Sequence, residues 1–123
     1  MAVQSEEIAN SWGPFGGVAT NTVGAFYVDP TGNKVGTVDC DVTGIDAATN
    51  ATVHARASAG WKMIGGVLTV YGISLALNVS PALSLTGLVV ALVASGNEIQ
   101  ARLTTLLGQN VTGGARFVVF TAS

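Results

Sequence analysis

The side chains able to do chemistry are few, and their spacing decides against most of it. One cysteine, Cys40, stands between Asp39 and Asp41, with Asp46 a few residues on and one histidine, His54, beyond. A reactive thiol needs a nearby cation or a helix N-terminus to lower its pKa, and flanking carboxylates do the opposite. Cys40 therefore reads as inert, and a single cysteine excludes an internal disulfide framework. Asp39, Asp41 and Asp46 share one polar stretch that could be imagined around calcium. The ligand order and closing bidentate Glu of a calcium loop are missing, however, so they read as solvated turn acids. His54 has no Cys, His or carboxylate at ligand spacing. No Gly-rich loop stands between a strand and a helix, as phosphate binding requires. The sequence thus predicts no enzyme, no catalytic residues, no cofactor and no metal.

The elements that would position any site are organised around Met63 to Asn97, a stretch without one Asp, Glu, Lys or Arg. A membrane-spanning helix needs roughly 20 consecutive apolar residues. Here Gly65, Gly66, Gly72, Asn78, Ser80, Pro81, Ser84 and Gly87 interrupt the run, and its best uninterrupted part, Leu88 to Ala94, is too short. Frequent Val, Ile, Thr and Tyr with recurrent Gly suit short strands and turns better than helix. The stretch reads as consecutive core strands, Met63 to Tyr71, Ile73 to Val79 and Leu83 to Ala94, punctuated by Gly72 and Ser80-Pro81.

At 123 residues with 49% hydrophobic and only 10% charged side chains, the chain reads as one folded domain whose surface is largely covered by something. Self-association is the expectation, since large exposed apolar patches mark contact sites. A net charge of -2 with scattered Lys34, Arg56, Lys62, Arg102 and Arg116 gives no phosphate-backbone footprint, so nucleic acid is not expected as a partner. The N-terminus carries Glu6 and Glu7 where a signal peptide needs a basic and then an apolar region. The expectation is synthesis in the cytoplasm without Sec export, which leaves the sequons at Asn50, Asn78 and Asn110 as chance matches.

Along the chain, residues 1–17 read as an N-terminal arm and residues 18–123 as a β-sandwich domain. Ser5 to Ile8 could open one helical turn, and Trp12-Gly-Pro-Phe15-Gly-Gly stops any regular element. Ile8, Trp12 and Phe15 are the candidate interface residues of this arm, inserting against another part of an assembly; capping of the domain's own sandwich by Trp12 and Phe15 is the alternative. Asp29-Pro-Thr-Gly-Asn33 is strong turn chemistry and predicts a hairpin joining Phe26 to Val28 with Val35 to Val38. Asp41 to Asn50 reads as a polar, turn-rich connection, with a short edge strand within it as the alternative. Thr52 to Ser58 alternates with period two, putting Val53, Ala55 and Ala57 inward and His54 and Arg56 outward. Ser95-Gly-Asn97 turns into the cleanest alternation, with Ile99, Ala101 and Leu103 inward. Gly108-Gln-Asn110 leads to a last strand through Ala115 to Phe120. About seven to nine such strands predict an all-β fold, an antiparallel β-sandwich or jelly roll with a short N-terminal arm. Its predicted core is Val53, Ala55, Trp61, Leu68, Val70, Leu75, Leu77, Leu85, Val90, Leu92, Ile99, Leu103 and Phe117.

The run Thr52-Val-His-Ala-Arg-Ala57, Gly60-Trp61-Lys-Met-Ile-Gly-Gly66, Leu88-Val-Val-Ala-Leu92, Ser95-Gly-Asn97, Ile99 to Thr104, Gly108-Gln109 and Ala115-Arg-Phe-Val-Val119 resembles a small β module of tailed-bacteriophage virion structural proteins. The resemblance covers Asn50 to Ala122. It implies a virion structural protein that is homotrimeric, either a capsid decoration (cement) protein partnered with the major capsid protein or a tail-fibre domain. The short arm, with no shaft, favours decoration, and the arm would anchor the protein on the shell and be removable without unfolding the sandwich. A bacterial carbohydrate-binding sandwich is a further alternative, which would want exposed aromatics on a strand face.

Overall fold

The computed structural model describes residues 2–80, 89–106 and 108–123. Eight strands occupy them: β1 (Val3–Gly16), β2 (Ala19–Tyr27), β3 (Lys34–Asp46), β4 (Thr52–Ile64), β5 (Val67–Ser80), β6 (Val89–Ser95), β7 (Glu98–Thr105) and β8 (Asn110–Ala122). They form two antiparallel sheets packed as a sandwich, one ordered β1-β8-β3-β4-β5 and the other β2-β7-β6.

Period-two alternation explains why these segments are strands and where the core lies. Along β4, Val53, Ala55, Ala57, Ala59, Trp61 and Met63 are buried while Thr52, His54, Arg56 and Lys62 are exposed. Along β7, Ile99, Ala101, Leu103 and Thr105 point in. Between the sheets they meet Val38, Cys40 and Val42 of β3 and Val111, Ala115, Phe117 and Val119 of β8. Two buried polar groups are satisfied locally: the Trp61 indole donates to the Thr37 carbonyl at 3.2 Å, and Thr105 Oγ1 donates to the Gly17 carbonyl at 2.8 Å.

Trp61 fits because Gly36 opposes it. A Cβ at Gly36 would lie 2.6 Å from the Trp61 ring and would also collide with the Phe120 carbonyl. Overpacking of this kind costs about 1–3 kcal/mol. Gly36→Ala is expected to lower stability by about that amount, read as a drop in the urea midpoint at unchanged slope.

Several local expectations change in the fold. The segment taken as an arm, with a helical turn and a stop at Trp12-Gly-Pro-Phe15, is strand β1, in register with β8 from Val3 opposite Ala122 to Gly16 opposite Asn110. A bulge between Trp12 and Phe15 absorbs Gly13 and Pro14 without ending the strand. The hairpin expected around Asp29 to Asn33 does not form. β2 pairs with β7 and β3 with β4 and β8, so this turn is a corner between sheets. Its chemistry is as read: Thr31 N–H donates to Asp29 Oδ1 at 2.9 Å, and Lys34 Nζ donates to the Thr31 carbonyl at 2.6 Å. Turn residues specify a reversal of the chain, not the sheet it enters.

The connection expected from Asp41 is the second half of β3, and the real turn follows Asp46. That carboxylate is buried and accepts the Ala48 N–H at 2.9 Å, and Asn50 takes a positive φ of 58°. In the central stretch the reversal falls at Gly65-Gly66, with φ of 59° and 79°, as a two-residue hairpin wants. Gly72 (φ 65°) lies at a register shift inside β5, a bulge and not a strand end. Of the expected strand Leu83 to Ala94, residues 83–88, with Leu85, lie outside the described residues, and the rest is in β6. Leu75 and Leu77, expected in the core, are exposed. The five-stranded sheet has two more strands than the three-stranded sheet packed on it, and β5 is one of its two edges.

Candidate functional site

The three candidate interface residues lie on β1. Ile8, opposite Phe117, is 37% exposed. Trp12 is only 6% exposed and belongs to the sandwich core. Phe15 stacks on it, with ring centroids 6.0 Å apart and an interplanar angle of 9°. Trp12 sits over Gly44, where a Cβ would lie 2.8 Å from the indole and 2.9 Å from Val111. Among the described residues its buried indole N–H meets no hydrogen-bond partner. Trp12 and Phe15 thus pack on the chain's own sandwich.

Charge collects on the outer face of the larger sheet. Register places Arg116 of β8, Asp41 of β3 and Arg56 of β4 side by side. Arg116 Nη2 donates to Asp41 Oδ2 at 2.9 Å, while Arg56 Nε lies 3.5 Å and His54 Nε2 3.7 Å from Asp41 Oδ1. The hydrogen bond and charge of Asp41 push the Arg116 pKa up. On either side are shallow hollows of about 490 Å³ (Thr43, Ile45, His54, Asn78, Thr112) and about 460 Å³ (Ala9, Ser11, Asp41, Gly114, Arg116). The cluster ties three strands together. Exposed ion pairs are weak and screened by salt, so Asp41→Asn is expected to lower the melting temperature only slightly, and by less at high salt, as thermal unfolding at two salt concentrations will show.

The thiol beside this cluster points the other way. Cys40 is buried, and desolvation first, then the charge of Asp41, pushes its pKa from 9.0 up to about 12. Below pH 9 the thiol is protonated both folded and unfolded. Between 9 and 12 only the unfolded chain releases the proton, so ionisation there favours unfolding and stability falls as pH rises. Cys40 is expected to resist a thiol reagent at pH 8 and to react fully once the protein is denatured. Among the described residues no group of three or more His, Cys, Asp or Glu side chains could hold a metal ion.

The edges of the larger sheet differ. β1 carries Glu6 and Glu7 and a Gly-Pro bulge, all devices that discourage pairing with another chain. β5 carries no charge along its length, and Tyr71, Ile73, Leu75 and Leu77 are 39–50% exposed. β6, which packs beside it at the edge of the smaller sheet, is also free of charge, and Val89 is exposed. No described helix is long and apolar enough to cross a membrane. Sequence reasoning missed the Asp41 cluster because its members come from three strands, one of them, β8, far from the other two in the chain. The only signal was their shared outward parity.

No family model matches the chain. No curated protein matches it. Among solved structures it is similar to the crystal structure of the Acinetobacter baumannii phage AM24 tailspike protein, with 11% identity and a TM-score of 0.49 over 97% of this chain. The chain spans 26% of that protein's length.

Proposed function

We propose that the chain is a non-catalytic structural protein of a bacteriophage particle, acting as a homotrimer that binds the major capsid protein and reinforces the head. The observation that carries self-association is the amount of large apolar side chain left on the surface of a chain with 10% charged residues. Val3, Val18, Tyr27, Val35, Val67, Tyr71, Ile73 and Val89 are all at least 47% exposed. Surface of this kind is normally covered by a partner. The virion assignment is supported by the resemblance over Asn50 to Ala122, the stretch that holds β4 to β8, and the trimer by the same resemblance. With Trp12 in the core, contact with a shell would fall to exposed side chains of the sandwich, Ile8 included.

A tail domain that holds a receptor is the second reading, favoured by the outer face of the larger sheet. There the Asp41 cluster lies beside two hollows, and Tyr71 and Phe120 are exposed aromatics. Tagged protein added to purified capsids and to purified tails separates the two. Co-sedimentation to saturation with capsids, and a raised bursting temperature of the coated heads, is the expected result. Binding to tails alone would replace the decoration reading with the second one.

A further inference from the structure

We infer that copies of this chain meet along β5, the unguarded edge of the five-stranded sheet, with Ile73, Leu75 and Leu77 covered between them. The inference rests on the self-association just proposed and adds where it happens.

The outermost strand of a sheet offers a row of backbone N–H and C=O groups to any extended chain, and proteins normally block that row with charge, proline or bulges. The β1 edge is blocked in this way. The β5 edge is not: Leu68 to Ser80 contains neither Pro nor a charged residue, and Gly72 is its one irregularity. On the core-facing side, register carries the buried row of β4 outward, Ala57 opposite Leu75 and Ala55 opposite Leu77. Ile73, Leu75 and Leu77 therefore lie on the core-facing side of the sheet, yet the described residues leave them exposed.

The occupant follows from charge and length. An edge without charge gives nothing to an acidic or basic partner, and its complement must be equally apolar and extended. Further copies of this side of the sandwich, their β5 edges turned to a common axis with β6 beside each, have that character. The strand's 14 residues span about 46 Å at 3.3 Å each. To reach the roughly 800 Å² per partner of a stable contact, a strip of that length needs a depth of about 17 Å, so β6 with its exposed Val89 must share the contact with β5.

The test compares two surface variants of the full chain by light scattering coupled to gel filtration, with circular dichroism confirming the fold. L75K/L77K puts charge on the β5 edge, and E6K/E7K alters the β1 edge. The β5 variant is expected to raise the dissociation constant of the oligomer at least tenfold, and the β1 variant to leave it within twofold. An oligomer that survives L75K/L77K intact but is lost in E6K/E7K would overturn the inference while leaving self-association standing. A monomeric wild type would overturn both. If the lysine variant does not fold, Leu75→Cys serves instead, because Cys40 is buried and the new thiol is the reactive one. A short bis-maleimide should then link copies through residue 75 and fail to link Glu6→Cys; the reverse pattern would overturn the inference.

Discussion

Replacing Leu103 by Asp is expected to leave no cooperatively folded protein. Leu103 has no exposed surface, lies on the central strand of the smaller sheet, and is flanked in register by Asn21 of β2 and Val90 of β6. The substitution removes a buried leucine, worth about 2–5 kcal/mol with its cavity, and puts a carboxylate where the described core offers apolar side chains. Burying an unpaired charge adds several kcal/mol more. The sum reaches the whole stability of an ordinary domain, about 5–15 kcal/mol. Loss of the sharp urea transition and of near-UV signal from Trp61 would meet the expectation. A soluble Leu103→Asp protein with a wild-type midpoint would show that β7 does not sit in the core in this register.

Removal of residues 1–16 is expected to have the second largest effect. Had this segment been a detachable arm, the truncated sandwich would fold and only its docking would suffer. As strand β1 it pairs with β8 along most of that strand's length, and it supplies Trp12 against Gly44 and Val111. Truncation strips one face of the core end of a large aromatic, a loss of about 3–5 kcal/mol when Trp is cut to Ala. It also exposes the backbone edge of β8, which carries Val111, Phe117 and Val119. The truncated chain is expected to aggregate or to melt far below the full chain. Trp12→Ala should reproduce much of that loss without changing length, as the urea midpoint of each variant will show. If the truncated protein keeps the full-length midpoint, the strand contributes nothing to the fold and the arm reading returns.

What could be read from the sequence follows the range of the interactions involved. The alternation of Val53 to Met63 and of Ile99 to Leu103 is local, and it placed β4 and β7 with their core faces correctly. The all-β sandwich followed from it. β1 was illegible because its partner β8 lies at the other end of the chain, and an edge strand with mostly exposed side chains carries little periodic signal. The corner at Asp29 to Asn33 was read as a hairpin because turn chemistry is the same whether the next strand stays in the sheet or leaves it. Leu75 and Leu77 were placed in the core because apolar residues on a strand ordinarily are. That they are exposed instead is a property of the whole fold. The Asp41 cluster needed the pairing of β3 with β8, which no short spacing reveals.

The claim that everything functional rests on is that the chain covers its apolar surface with copies of itself. The mass of the intact protein in solution, by light scattering coupled to gel filtration at micromolar concentration, tests it most directly. One species of about three times the 12.4 kDa chain mass is the expected result. A monodisperse monomer would contradict it.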